Sequence, residues 1–292
     1  MEEAIAKARA LIEAMGYIRS FRGRIVVVKL GGSVLEDASL QKKLLTDIAF
    51  MATVGMQPII IHGGGKAITK AMKEVGIEPV WVRGRRYTDE RTLTIAEHTL
   101  VHKINTPICE TLAKLGCKPM GLHSLSSCVL FAEPLRLAGE DGRKLDLGLV
   151  GYITAVNAEL LKTLCSSGNI PVIASVAKDK AGGKLNVNAD SAAGKVAAEV
   201  AAEKLVVVSD THGIRTDIKD PDSWISSLDR QQIKQMIDSS IITEAMLPKV
   251  EACITALDAG VKKAHIIDGR IEHSLLLEIY TDKGVGTEIV KK

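Results

Sequence analysis

The chain has 292 residues, of which 46% are hydrophobic, 25% charged and only 3% aromatic, so it is a globular protein with an aliphatic core and not a disordered one. Its 38 Lys and Arg against 35 Asp and Glu leave a formal charge of +3, which is too balanced for a dedicated nucleic-acid binder. Five scattered cysteines without a C-x-x-C, an N-terminus carrying Glu2, Glu3 and Glu13, and no apolar run near the roughly 18–20 residues that cross a bilayer predict a cytoplasmic protein with reduced, mostly buried thiols and no membrane partner.

Ile5, Ala8, Leu11, Ile12, Met15 and Ile18 recur at three- and four-residue spacings, which predicts an amphipathic helix within residues 1–22. Its apolar stripe needs a cover, and the pattern favours neither its own domain nor another subunit. Short β-rich runs follow at 25–30 (IVVVKL), 58–62 (PIIIH), 170–176 (IPVIASV), 205–209 (LVVVS) and 264–268 (AHIID). They are continuous, not alternating, as in strands covered on both faces of a parallel sheet. Helix candidates lie at 39–54, 66–75, 90–115, 157–167, 191–203 and 244–259. Strand followed by helix, repeated, predicts a layered α/β domain. Residues 124–145 are expected to hold hairpin strands and loops, and the polar stretch 216–227 a surface loop.

Two strands run into glycine turns, Gly31-Gly32 after IVVVKL and Gly63-Gly64-Gly65 after PIIIH. Ligands bind at the carboxyl ends of such strands, where glycines and helix N-termini bring N–H groups to an anion; the plain alternative is a pair of tight turns. Lys29, two residues before the first turn, favours the anion site. Asn186, Asn188 and Asp190 alternate just before an Ala-rich helix, either to cap it or to converge on a ligand. Arg83, Arg85 and Arg86 form a basic loop that is solvated by default, although one guanidinium there suits a carboxylate. Lys249 beside a helix start reads as a surface lysine. His98 and His102 lack the glutamate of H-E-x-x-H and a third ligand, so no metal site is expected.

In order along the chain, VVKLGGSVL (27–35), PIIIHGGGKAI (58–68), GRRYTDERTL (84–93), LNVNADSAAGKVA (185–197), LVVVSDTHGI (205–214), LPKVEA (247–252) and HIIDGR with LLLEIYTDKGVGTEI (265–270, 275–289) resemble the acetylglutamate kinases of the amino-acid kinase family over nearly the whole length. The resemblance implies a three-layer α/β/α sandwich around a mainly parallel sheet. In it, residues 23–180 form an N-lobe for substrate and dimerisation, and 181–292 a C-lobe for nucleotide. It implies phosphoryl transfer from MgATP to the side-chain carboxylate of N-acetyl-L-glutamate, in arginine synthesis. Lys29 and Lys249 would flank the moving group, held by Asp190, and Gly31, Gly32, Gly64 and Gly65 would donate N–H groups. Arg86, Asn186 and Asn188 would clamp the substrate, Ser209 and Asp210 would join the ATP site, and Mg2+ would be held mainly by phosphates. In arginine-inhibited members the N-terminal helices interlace three dimers into a hexamer. Tyr17, Lys204, His265, Glu278, Gly284 and Gly286 resemble the arginine site. Two departures stand out: Glu244-Ala245 replaces Gly-Gly, and His123-Ser124-Leu125-Ser126-Ser127 replaces Ser-Gly-x-Asp-Gly. They motivate a second expectation, a catalytically weak or inactive homologue that binds arginine as a regulatory module.

Overall fold

A computed structural model of the chain describes residues 1–138, 144–217, 220, 223–243, 245–280 and 284–291. Its centre is an eight-stranded sheet of β1 (Ile25–Leu30), β2 (Gln57–His62), β3 (Lys118–Leu122), β4 (Asn169–Ala174), β5 (Lys204–Ser209), β6 (Ser227–Asp229), β7 (Lys263–Asp268) and β8 (Gly286–Val290). The spatial order is β6-β8-β7-β5-β1-β2-β4-β3, and every pair is parallel except β7 with β8. The helices are α1 (Glu2–Phe21), α2 (Ala38–Thr53), α3 (Gly65–Glu74), α4 (Glu90–His98), α5 (Thr106–Lys114), α6 (Ala158–Ser166), α7 (Ala189–Glu199), α8 (Arg230–Asp238), α9 (Leu247–Asp258) and α10 (Ser274–Tyr280).

The continuous apolar strands follow from two cores. Val27, Leu205 and Val207 pack with α6, α7, α8 and α9 on one face. Val26, Val28, Leu30 and Val206 pack with α2, α3, α4, α5 and α10 on the other. Successive side chains of a strand point to opposite faces, so a strand covered on both sides has no polar position to alternate. The expected three-layer α/β/α sandwich is the architecture found.

Several boundaries differ from expectation. The run 170–176 is two strands, because the chain leaves the main sheet at Ser175 and continues as Val176–Lys178 in a small four-stranded sheet that closes on itself with Leu130–Pro134, Val150–Val156 and Lys184–Val187. The helix expected over 90–115 is α4, a π-helical segment (Thr99–Asn105) and α5. The widened turn keeps Leu100, Val101 and Ile104 buried, so the apolar pattern does not register the change of pitch. α7 begins earlier than expected, on an Asn188 cap, and ends at Glu199, before Ala201 turns the chain at φ 53°. Of the cysteines, only Cys165 and Cys253 are buried; Cys109, Cys117 and Cys128 are half-buried, which corrects the expectation that most are buried.

α1 leaves its apolar stripe open at Ile5, Leu11, Ile12 and Met15, with Leu11 and Ile12 each 66% exposed. Its last turn is anchored instead, through buried Phe21 and through Tyr17, whose ring lies edge-on to Tyr280 with centroids 6.5 Å apart. Among the described residues no helix is long and apolar enough to cross a membrane.

The tightest helix contact is α7 on α9. A Cβ at Gly194 would come within 2.6 Å of the Ala252 carbonyl oxygen, so the two backbones meet where only glycine fits. Gly194→Ala is expected to lower the unfolding free energy by about 1–3 kcal/mol through overpacking, read as a lower urea midpoint at an unchanged m-value. An unchanged midpoint would mean that α9 moves aside at no cost.

Candidate active site

Lys29, Gly31, Gly32, Gly64, Gly65, Arg86, Asn186, Asn188 and Asp190 line one cavity of about 230 Å³ at the carboxyl ends of β1 and β2. The two glycine turns are therefore walls of a single site. At Gly31 the reason for glycine is spatial: a Cβ would overlap the Lys29 ammonium, which folds back over the turn. Gly32 adopts φ 63°, a left-handed conformation that other residues enter only at a cost. Lys29 is buried, and its Nζ lies 2.9 Å from Asp190 Oδ1 in the first turn of α7. Burying an ammonium is costly without such a partner.

Of the alternating residues, Asn188 is the helix cap, and both Asn186 and Asn188 border the cavity. Asn188 caps α7, its Oδ1 accepting from Ser191 N–H at 2.9 Å, while its side chain still borders the cavity. Asn186 Nδ2 donates to Thr88 Oγ1 at 3.2 Å, and the Thr88 hydroxyl donates to the Arg86 carbonyl at 2.9 Å, which ties two distant segments into one wall. Arg86 is buried, not part of a solvated loop. Its Nη2 donates to Gly65 O and Thr69 Oγ1, each at 2.8 Å, and its guanidinium lies 4.6 Å from the centre of the Trp81 ring. Trp81 was missed by the sequence reading. The signal for it is the Arg83-Gly84 pair, both at positive φ (46° and 70°), a two-residue turn that pairs Trp81 with Arg86 in a hairpin.

Ser209, Asp210 and Lys249 lie outside the lining of this cavity. Asp210 is beside the first turn, its Oδ2 3.2 Å from where a Gly32 Cβ would stand. Ser209 is buried, with its hydroxyl 3.4 Å from that of Thr211. Lys249 is half-buried at the start of α9, not a surface lysine, and donates to the Ala245 carbonyl at 3.0 Å. Burial pulls its ammonium below the usual lysine range; Asp190 opposes that shift and the Lys29 charge adds to it, so the three groups share one electrostatic field.

Of the two departures, Glu244 lies outside the described residues. In the other, no residue of 123–127 has a positive φ, so the missing glycines cost no backbone strain. The serines instead tie the loop down. Ser126 Oγ donates to Gly121 O at 3.0 Å, and the buried Ser124 hydroxyl donates to Glu97, which also pairs with Lys184 at 2.7 Å.

A second cavity, of about 520 Å³, gathers Tyr17, Lys204, His265, Glu278, Gly284 and Gly286 between the end of α1 and the strands β5, β7 and β8. Glu278 Oε1 lies 2.5 Å from His265 Nδ1, and Oε2 accepts from Val285 N–H at 2.7 Å. Burial pushes the Glu278 carboxyl up, but His265, the Val285 N–H and Lys204 together outweigh it and hold the group below the usual glutamate range. Lys204 lies 4.9 Å from the Phe21 ring, and burial with the neighbouring Lys263 charge lowers its ammonium. Phe21, which also lines this cavity, was not singled out from the sequence.

Residues 24–268 match the model of the amino acid kinase family. The chain is 44% identical over 291 residues to acetylglutamate kinase of Symbiobacterium thermophilum, covering 99% of both chains. Among solved structures it resembles N-acetylglutamate synthase of Neisseria gonorrhoeae complexed with coenzyme A and N-acetyl-glutamate, at a TM-score of 0.85 and 25% identity, over 98% of this chain and 63% of that one. The same synthase complexed with coenzyme A and L-arginine gives 0.81 at 25% identity, over 98% and 65%. This chain thus spans less than two thirds of the synthase.

The shared field of Lys29, Asp190 and Lys249 has a pH consequence. Asp190→Asn removes the charge that raises the Lys249 ammonium, so that ammonium is expected to deprotonate at lower pH than in the wild type. Turnover that depends on it should then lose its alkaline limb at lower pH. An alkaline limb that stays in place would show that Asp190 does not support Lys249.

Proposed function

The chain belongs to the amino acid kinase family, and we propose how its residues divide the work of the reaction. It phosphorylates N-acetyl-L-glutamate on the side-chain carboxylate, a step of arginine biosynthesis. The donor in the proposed reaction is MgATP, and the products are the acyl phosphate and ADP. The observation that carries the assignment is the buried Lys29–Asp190 pair at the junction of two glycine turns and a helix N-terminus.

Both reactants are anions, and the acceptor carboxylate is already deprotonated at neutral pH, so no general base is needed. A carboxylate oxygen attacks the γ-phosphorus, the bond to the β-phosphate oxygen breaks, and the electron pair leaves with ADP. Catalysis is therefore positioning and charge neutralisation. Lys29 and Lys249 neutralise charge on the transferred group, and Asp190 keeps both ammonium groups in place. Gly31 and Gly32 on one side, Gly64 and Gly65 on the other, supply backbone donors. Arg86, with Asn186 and Asn188, takes the α-carboxylate and amide of the substrate, while Ser209 and Asp210 serve the nucleotide. Magnesium arrives with ATP: Asp190 is engaged by Lys29, and among the described residues no group of three His, Cys, Asp or Glu side chains is set to hold a metal. Trapping the acyl phosphate with hydroxylamine tests the assignment. Lys29→Met is expected to lower kcat by about 100-fold or more, and Arg86→Lys to raise KM for N-acetylglutamate while leaving that for ATP nearly unchanged. Wild-type kcat in Lys29→Met, or a raised KM for ATP in Arg86→Lys, would overturn it.

The second cavity supports feedback inhibition by L-arginine, the ligand named for one complex of the structurally similar synthase. Glu278 is the acceptor for the cationic end. Lys204 and the backbone near Gly284 and Gly286 supply donors for the carboxylate, with His265 and Tyr17 on the walls. Tyr17 belongs to α1, whose exposed stripe fits other copies of the chain, as in a hexamer made of three dimers. Arginine inhibits if it binds one arrangement of the lobes better than the other. Deleting residues 1–22 is expected to reduce hexamers to dimers in light scattering and to weaken arginine inhibition while catalysis persists. A full-length protein that is dimeric and indifferent to millimolar arginine would rule this out. Nothing favours a purely regulatory, inactive homologue.

A further inference from the structure

Behind the Gly63-Gly64-Gly65 turn runs a buried chain of polar side chains that the assignment above leaves without a task. His62 ends β2 and is fully buried. Its Nδ1 lies 3.2 Å from the Gly63 carbonyl oxygen, and its Nε2 lies 2.9 Å from Asn105 Nδ2. A carbonyl oxygen can only accept and an amide nitrogen can only donate, so the tautomer follows: Nδ1–H donates to Gly63, and Nε2 accepts from Asn105. Asn105 is oriented in turn. Its Nδ2 also donates to Val172 O at 2.9 Å, and its Oδ1 accepts from Cys109 Sγ at 3.7 Å. Gly121 leaves the room for this, since a Cβ there would approach Asn105 Oδ1 to 2.5 Å. Burial pulls the His62 imidazole down to about 4, so the ring remains neutral and keeps this tautomer at physiological pH.

Asn105 closes the π-helical segment, and two other residues of that segment press on the same turn. A Cβ at Gly64 would come within 2.5 Å of Ile104 Cδ1 and 3.0 Å of Leu100 Cδ2. The segment thus braces the turn twice, by side-chain packing on Gly64 and by hydrogen bonding through His62. Such widened turns are rare and recur at functional sites.

We infer that His62 and Asn105 are positioning residues for phosphoryl transfer, holding the Gly63 carbonyl so that the Gly64 N–H is aimed into the active-site cavity. A trans peptide unit is planar, with its C=O and N–H pointing in opposite directions. Drawing the Gly63 oxygen toward the imidazole behind the turn directs the Gly64 N–H forward, to the side lined by Lys29 and Asp190. The first N–H groups of α3 have no intrahelical partner, so they are donors ready for charge on the transferred group.

The inference rests on the kinase assignment, and a set of side-chain mimics tests it. His62→Asn puts an amide N–H near the position of Nδ1, whereas His62→Gln reaches the position of Nε2 and loses the donor to Gly63. His62→Gln and Asn105→Leu are expected to lower kcat by about 10- to 100-fold, the scale of a small misplacement of catalytic groups, with KM for MgATP within about twofold. His62→Asn is expected to recover most of kcat. Equal losses in His62→Asn and His62→Gln, or wild-type kcat in both, would overturn the inference. If Asn105→Leu fails to fold, the two His62 variants decide the matter. The imidazole 15N spectrum of the wild type gives a readout independent of turnover: a neutral ring protonated on Nδ1 is expected, and one protonated on Nε2 would overturn the inference. A wild type that makes no acyl phosphate but has the Nδ1–H ring would instead count against the substrate assignment.

Discussion

An ammonium buried beside a carboxylate is the interaction on which the rest of this molecule depends. Lys29 and Asp190 come from β1 and α7, far apart in sequence, and their 2.9 Å contact holds the end of a central strand against the start of a helix. Losing one partner of such a pair leaves an uncompensated charge and costs about 3–5 kcal/mol in well-studied cases. The pair therefore stabilises the fold only as a unit, and it holds the lysine at the carboxyl end of β1, between the two glycine turns.

Packing around the pair is correspondingly tight. α7 carries Asp190 and lies against α9, which carries Lys249, and their backbones approach at Gly194. The distance between the two helices therefore bears on how strongly Lys249 feels Asp190. On the opposite side Leu100 and Ile104 of the π-helical segment pack against Gly64, as the Lys29 side chain packs against Gly31. The cavity has one rigid wall from each of the two cores that the parallel sheet separates.

The second cavity is built on a different principle. Its walls come from the far side of the sheet and from the last turn of α1, a helix whose earlier turns lie exposed. Tyr17 meets Tyr280, which ends α10, and Glu278 on the same helix meets His265 on β7. Anything that binds there touches both a helix whose apolar stripe is exposed and the strands β5, β7 and β8.

Much of this was legible in the sequence because it is local. The apolar strands, the glycine turns, Lys29 before Gly31, and the alternation of Asn186, Asn188 and Asp190 are short-range patterns with a direct structural meaning, and family resemblance linked them across the chain. What depends on contact between distant segments was not legible. The His62–Asn105 bond joins residues 43 positions apart, and an apolar helix pattern reads the same whether its turns are α or π. The burial of Arg86 and Lys249 was misjudged because a charged residue beside a helix or turn carries no local sign of what will cover it. The sequence by itself determined the layered α/β architecture and most of the residues that line the first cavity, since strand periodicity and turn chemistry are properties of neighbours. Only the tertiary structure decided which face of α1 stays bare, how the glycine turns are braced and which tautomer His62 holds, because each depends on atoms that folding brings together.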